Sequence, residues 1–217
     1  MNIPWAISID AADSGYTPIV ADSELMALRF GLFDDSFMHE HHEIKQGDGY
    51  NERCWQEIGK GTRWQKGVCG GEISYYTSND QRNFLNPAGM YGWTWEDASA
   101  KYHLTFIIAN DATGGIYGTV DRFREAGMAV GYSFEVMNCR TNGEETRLAV
   151  TNTGIAPIYR DAYFAVGDAQ SSTSLCCVMP NDTVEISIPR GYNEGDSLII
   201  VSPHILPTQT IEYKVNQ

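Results

Sequence analysis

The chain has 217 residues, 42% of them hydrophobic, which suits one large or two small domains with a real core and excludes a disordered protein. A formal net charge of −13, with 15 Lys and Arg residues forming no basic block, argues against nucleic acid as a partner. The start Met1-Asn2-Ile3-Pro4 has no basic segment leading into a long apolar one, and runs such as Leu198-Ile199-Ile200-Val201 are too short to cross a bilayer, so no membrane span is expected.

In chain order, strand-like runs over 5–9, 28–33, 68–73 and 104–109 alternate with helical patterns over 21–26, 52–58, 95–102 and 120–126. Four β-then-α units imply parallel strands joined by right-handed crossovers, either an open doubly wound sheet or part of a (β/α) barrel. The sequence has neither G-x-G-x-x-G nor G-x-x-x-x-G-K-[ST], which favours the barrel and calls for no nucleotide cofactor. From residue 131 the texture changes to short strands over 132–137, 147–151, 162–166, 183–188, 197–201 and 210–215. Turn residues such as Asn142-Gly143, Gly154, Pro157 and Asn181-Asp182 separate them. The expected fold is therefore α/β plus all-β, with a partial (β/α) barrel over 1–130 and a β-sandwich over 131–217.

In parallel β/α architectures the functional groups collect at the carboxyl ends of the strands. There the sequence offers Asp10 in "SID", Asp34 and Asp35 in "RFGLFDDSF", and Glu72 in "VCGGEISYY". Two carboxylates from neighbouring strands suit a glycosidase, retaining at about 5–5.5 Å separation and inverting at about 6.5–9.5 Å. Glu72 and Asp35 are the catalytic candidates, and Asp34 a substrate contact. A turn cap at Asp34 and an ion pair of Asp35 with Arg29 or Arg63 are the structural alternatives. The two glycines before Glu72 suggest that something must fit closely there, or that the strand bulges.

Trp55, Trp64, Tyr75, Tyr76, Tyr91, Trp93 and Trp95 crowd the segments after the strands, where sugar rings stack on aromatic faces; core filling is the alternative. Tyr75, Tyr76, Trp93, Trp95 and His103 are the candidate substrate contacts beside Asp34, although a histidine just before a strand is also an ordinary buried residue. "HEHHE" at 39–43 carries metal-ligand residue types without the H-E-x-x-H spacing, so no metal is expected. Five cysteines, Cys54, Cys69, Cys139, Cys176 and Cys177, show no CxxC spacing and read mostly as small buried hydrophobes, with one disulfide left open. Cys176 and Cys177, on opposite faces of a strand, are not expected to bridge each other.

"RFGLFDDSF", "CGGEIS", "AGMAVGYSFEV" and "VTNTGIAPIY" occur in an order that resembles the bacterial domain of unknown function 4832 family. Asp35, Gly70, Gly71, Glu72, Asn152, Gly154, Ala156, Pro157 and Tyr159 match its motifs. Asp34 stands where that family usually has Asn, and Ile73-Ser74 where it commonly has Thr-Cys. The resemblance spans residues about 4–190 but only the later part of a typical member. It implies a glycoside hydrolase-like barrel portion, an immunoglobulin-like sandwich and, by analogy of fold, a carbohydrate ligand.

Three readings follow: a glycoside hydrolase-like enzyme, a non-catalytic glycan-binding module, or a fragment of a larger barrel enzyme. The sandwich, with His204 as its one histidine, is expected to be accessory. Four β/α units leave two strand edges, so a homodimer or a missing N-terminal half of the barrel is expected to cover them. Secreted or periplasmic placement would follow if an upstream signal peptide exists.

Overall fold

Strands β1 (Ala6–Ser8), β2 (Gly31–Phe37), β3 (Cys69–Ile73) and β4 (Phe106–Ile108) pair in parallel, in the spatial order β1-β2-β3-β4. This computed structural model describes residues 5–12, 23–40, 49–59 and 61–216, and the chain divides into two units, Met1–Gly131 and Tyr132–Gln217. Parallel strands need crossovers. In the first unit these carry α1 (Ser23–Ala27), α2 (Tyr50–Gly59), α3 (Ser78–Asn83) and α4 (Trp95–Tyr102), and α5 (Val120–Met128) follows β4.

Three of these helices start on a threonine whose hydroxyl accepts an amide of the first turn. Thr77 accepts from Asp80 N at 3.3 Å, Thr94 from Asp97 N at 3.1 Å and Thr119 from Arg122 N at 3.2 Å. α4 buries Trp95, Ala98, Ser99 and Tyr102, spaced i, i+3, i+4, i+7, which is the stripe a helix turns toward a core. Trp95 is 1% exposed, its ring edge-on to Phe37 and Phe84 and its Nε1 donating to Ala126 O at 3.0 Å. The expectation of Trp95 as a sugar platform is corrected: it is a core residue that ties α4 to α5. Among the described residues no helix is long and apolar enough to cross a membrane.

In the second unit β5 (Phe134–Thr141), β6 (Thr146–Asn152) and β9 (Thr183–Ile188) pair antiparallel, and β11 (Lys214–Val215) joins the β5 edge in parallel. A second antiparallel sheet holds β10 (Leu198–Val201), β7 (Tyr163–Val166) and β8 (Ala169–Gln170) in that order. One core takes Phe134, Val150 and Ile186 from the first sheet and Phe164, Val166 and Ile200 from the second. The buried Asn152 fastens the chain at the end of β6. Its Oδ1 accepts from Ser133 N at 3.2 Å and Gly154 N at 3.0 Å, and its Nδ2 donates to Ala156 O at 3.0 Å and Val178 O at 2.9 Å.

Cys176 and Cys177 are expected on a strand. They occupy a turn instead, with Cys177 at φ 64° and the two Sγ atoms 3.2 Å apart.

Candidate functional site

The glycine pair of β3 explains how the strands close around Glu72. A Cβ on Gly70 would lie 2.2 Å from Phe106 O of β4, and one on Gly71 1.8 Å from Asp34 O of β2, so no other residue fits at either position. Flanking backbone fills the space on both sides. Directly after the pair, the β2–β3 register slips: Asp34 pairs with Gly71 and Phe37 with Ile73, so Asp35 and Ser36 together oppose the one residue Glu72. Such a bulge re-aims side chains at the end of a strand.

The two aspartates of β2 take different roles. Asp34 is fully buried and accepts hydrogen bonds from Ser36 N at 2.8 Å and from Asn51 Nδ2 at 3.0 Å (Oδ1) and 3.2 Å (Oδ2). Expected to touch substrate, it is instead an internal clamp between the bulge and the start of α2. Asp35 is half-buried and lines a cleft of about 270 Å³ with Asp10, Ser36, His39, Tyr50, Asn51 and Tyr76. Burial, and then the charges of Asp10, Asp34 and Glu72, push its carboxyl above the usual value of 3.8. Asp10, in the 3-10 turn Ile9–Ala12 after β1, accepts from Tyr50 OH at 3.2 Å.

Glu72 lines a neighbouring cleft of about 520 Å³ together with Tyr75, Thr77, Ser78, Gln81, Asn110 and Asp111, and Asn110 Nδ2 donates to its Oε1 at 3.3 Å. Gln81 braces this cleft by donating to Ile73 O at 3.1 Å and accepting from Asp111 N at 2.7 Å, which joins the loops after β3 and β4. Behind it the fully buried Asp80 accepts from Ser74 Oγ at 2.7 Å, Thr77 Oγ1 at 2.8 Å and Tyr91 OH at 2.8 Å. Burial, reinforced by that bond to Asp80, pushes the Tyr91 hydroxyl up to about 12. Tyr75 lines the Glu72 cleft and Tyr76 the Asp35 cleft; they are 61% and 71% exposed, with rings stacked 6.0 Å apart.

The structure thus brings Glu72, Asp35, Tyr75 and Tyr76 to one end of the sheet and leaves the other candidates elsewhere. Trp93 packs against the core in the turn before α4, with Lys101 Nζ 4.7 Å from its ring centre. His103 is a left-handed cap at the carboxyl end of α4, φ 51°, stacked 3.7 Å from Trp64. It precedes β4 and so lies at the amino end of the sheet, opposite the clefts, which corrects its expected contact with substrate.

Of "HEHHE", His39 is buried beside Tyr76 with ring centres 4.8 Å apart, while His41, His42 and Glu43 lie outside the described residues. Among the described residues no group of three or more His, Cys, Asp or Glu side chains is placed to hold a metal ion. Tyr50, Asn51, Gln81 and Asn110 were not singled out from the sequence. Their one signal is position, just inside a helix or just past a strand, and nothing in their residue types marks them. Comparison with protein-family models, curated proteins and solved structures found no match to this chain.

Proposed function

We propose that the first unit is a glycoside hydrolase-like partial barrel that acts on a neutral glycan at the carboxyl ends of its strands. Glu72 serves as nucleophile or acid/base and Asp35 as its partner or orienter. The observation that carries this reading is the set of carboxylates at the ends of three adjacent parallel strands, Asp10 after β1, Asp35 on β2 and Glu72 on β3, with the Asp35 carboxyl raised by burial and by its acidic neighbours. Carboxylates at the ends of neighbouring strands, lining adjacent clefts, are the groups that glycoside hydrolysis uses. The exposed Tyr75–Tyr76 stack supplies a flat apolar face next to those acids, as a pyranose ring requires. The second unit, whose two sheets share one core, is read as the accessory immunoglobulin-like sandwich, in keeping with the resemblance to the domain of unknown function 4832 family.

Hydrolysis of a panel of aryl glycosides tests the enzyme reading. Glu72→Gln is expected to lower turnover by about 10²–10⁴-fold while sugar binding, followed by calorimetry, is retained. Binding without turnover by the unaltered protein would instead support a non-catalytic glycan-binding module, the reading that the tyrosine stack alone favours. Among the described residues β1 pairs only with β2 and β4 only with β3. These two edges are the basis for proposing that a second copy, or further barrel strands, complete the sheet. Light scattering that returned a 24.2 kDa species at micromolar concentration would remove the dimer from that proposal.

A further inference from the structure

Leu175, Cys176, Cys177 and Val178 form a four-residue turn closed by Val178 N donating to Leu175 O at 3.2 Å. Its third residue, Cys177, has φ 64°, whereas Cys176 has no positive φ. A turn of that type takes Gly or Asn at its third position, because a side chain there is strained. Here the position holds a cysteine, and its thiol sulfur lies 3.2 Å from that of Cys176. Both residues are half-buried and therefore open to small solutes.

Neighbouring backbone and side chains fix this geometry. Leu175 is fully buried and its N donates to Ala162 O at 2.8 Å; Cys177 N donates to Ile158 O at 2.8 Å; Cys176 N donates to Ser174 Oγ at 3.0 Å. Val178 O accepts from Asn152 Nδ2 at 2.9 Å. The turn is thus anchored on both sides of the two thiols, which stay side by side without drawing on the flexibility of a free loop. An observed backbone outlier held in place by its surroundings is the kind of feature from which a functional site is argued.

We propose that Cys176 and Cys177 are a redox site at which a small-molecule disulfide converts the two thiols into a reversible vicinal disulfide. One cysteine thiolate attacks the small disulfide, forming a mixed disulfide and expelling one small thiolate. The neighbouring thiolate then attacks the protein-bound sulfur of that mixed disulfide, which closes the Cys176–Cys177 bond and expels the second small thiolate. Two cysteine thiols lose two electrons, the small disulfide gains them, and the two cysteine protons end on the two small thiols released. Adjacent Cα atoms are about 3.8 Å apart, closer than the roughly 4.4–6.8 Å of ordinary disulfides. The ring is therefore strained and returns easily to the dithiol in the presence of excess thiol.

The test uses the whole chain, oxidised glutathione as the small disulfide, and mass spectrometry after blocking remaining thiols with N-ethylmaleimide. Trypsin releases residues 161–190, bounded by Arg160 and Arg190, with Cys176 and Cys177 as its only cysteines. The expected result is a peptide that has lost two hydrogens and carries no maleimide, and that regains two maleimide sites after excess reduced glutathione. Two maleimides before reduction, a glutathione on each cysteine, a link to another peptide, or a bond that excess reduced glutathione fails to open would each overturn the proposal.

Discussion

Glu72 of β3 faces two residues of β2 where regular pairing would supply one, and the acidic member of that bulge, Asp35, feels the Glu72 charge. The proximity of the acids has an electrostatic cost that falls on Asp35. Its carboxyl is raised in the folded chain, first by burial and then by Asp10, Asp34 and Glu72. A raised acid destabilises the fold when it is charged, so the penalty is absent below the usual 3.8 and develops as pH rises through the raised folded value.

Asp35→Asn should therefore stabilise the protein at neutral pH, on the order of 0.5 kcal/mol because solvent reaching the half-buried group screens its charge. The gain should shrink as the pH is lowered toward 3.8. Thermal melts of both proteins across that range check the sign. A neutral-pH loss of stability in the variant would mean that Asp35 is held by a favourable contact that outweighs its neighbours.

Two glycine substitutions should have opposite effects. Gly71→Ala sets a Cβ 1.8 Å from Asp34 O, a backbone atom that cannot move aside without parting β2 from β3, and should cost about 3 kcal/mol or more. Gly127, inside α5, has nothing within 4 Å of the same construction. Gly127→Ala should stabilise by about 0.4–1 kcal/mol through helix propensity and a less free unfolded chain. Urea unfolding of the two variants beside the parent measures both.

Arg122 and Glu96 link α5 to α4 by a two-pronged contact, Nη1 to Oε1 at 2.6 Å and Nη2 to Oε2 at 3.1 Å, while Arg122 Nε donates to Leu85 O at 3.0 Å. The Arg122 hydrogen bonds hold Glu96 below its usual 4.5, so the stability it contributes is present above 4.5 and lost as pH falls through the lowered folded value. Glu96→Gln should cost about 0.5–1 kcal/mol at pH 7, with less effect in high salt and none once the pH is below that folded value. Denaturation at two salt concentrations and two pH values measures it.

The parts of the fold that follow from periodicity were legible in the sequence. Helix α4 follows from Thr94 ahead of an i, i+3, i+4, i+7 stripe, and β9 from alternating apolar residues over 183–188. The same stripe turns Trp95 toward the core, whereas its residue type alone suggests a sugar contact. Other features had no local signal. The bulge at Asp35 depends on where β3 comes to lie, and the left-handed cap at His103 uses a residue that gives no warning of it. Cysteine at the third position of a turn reads as strand, because the turn residues normally found there are missing.

The spatial order of the first sheet is also the order of its synthesis, β1-β2-β3-β4. Each strand after β1 can pair with the one made just before it, and every such pairing closes the shortest loop available to it, which keeps the entropic cost of each step low. Pairing in that order would build the clefts in stages. The Asp35–Ser36 bulge opposite Glu72 exists once β3 has docked, whereas the Asn110 bond to Glu72 and the Gln81 bridge to Asp111 form only after β4 has been added. A nascent chain ending between β3 and β4 would hold the acids together with the Glu72 side of the cleft still open.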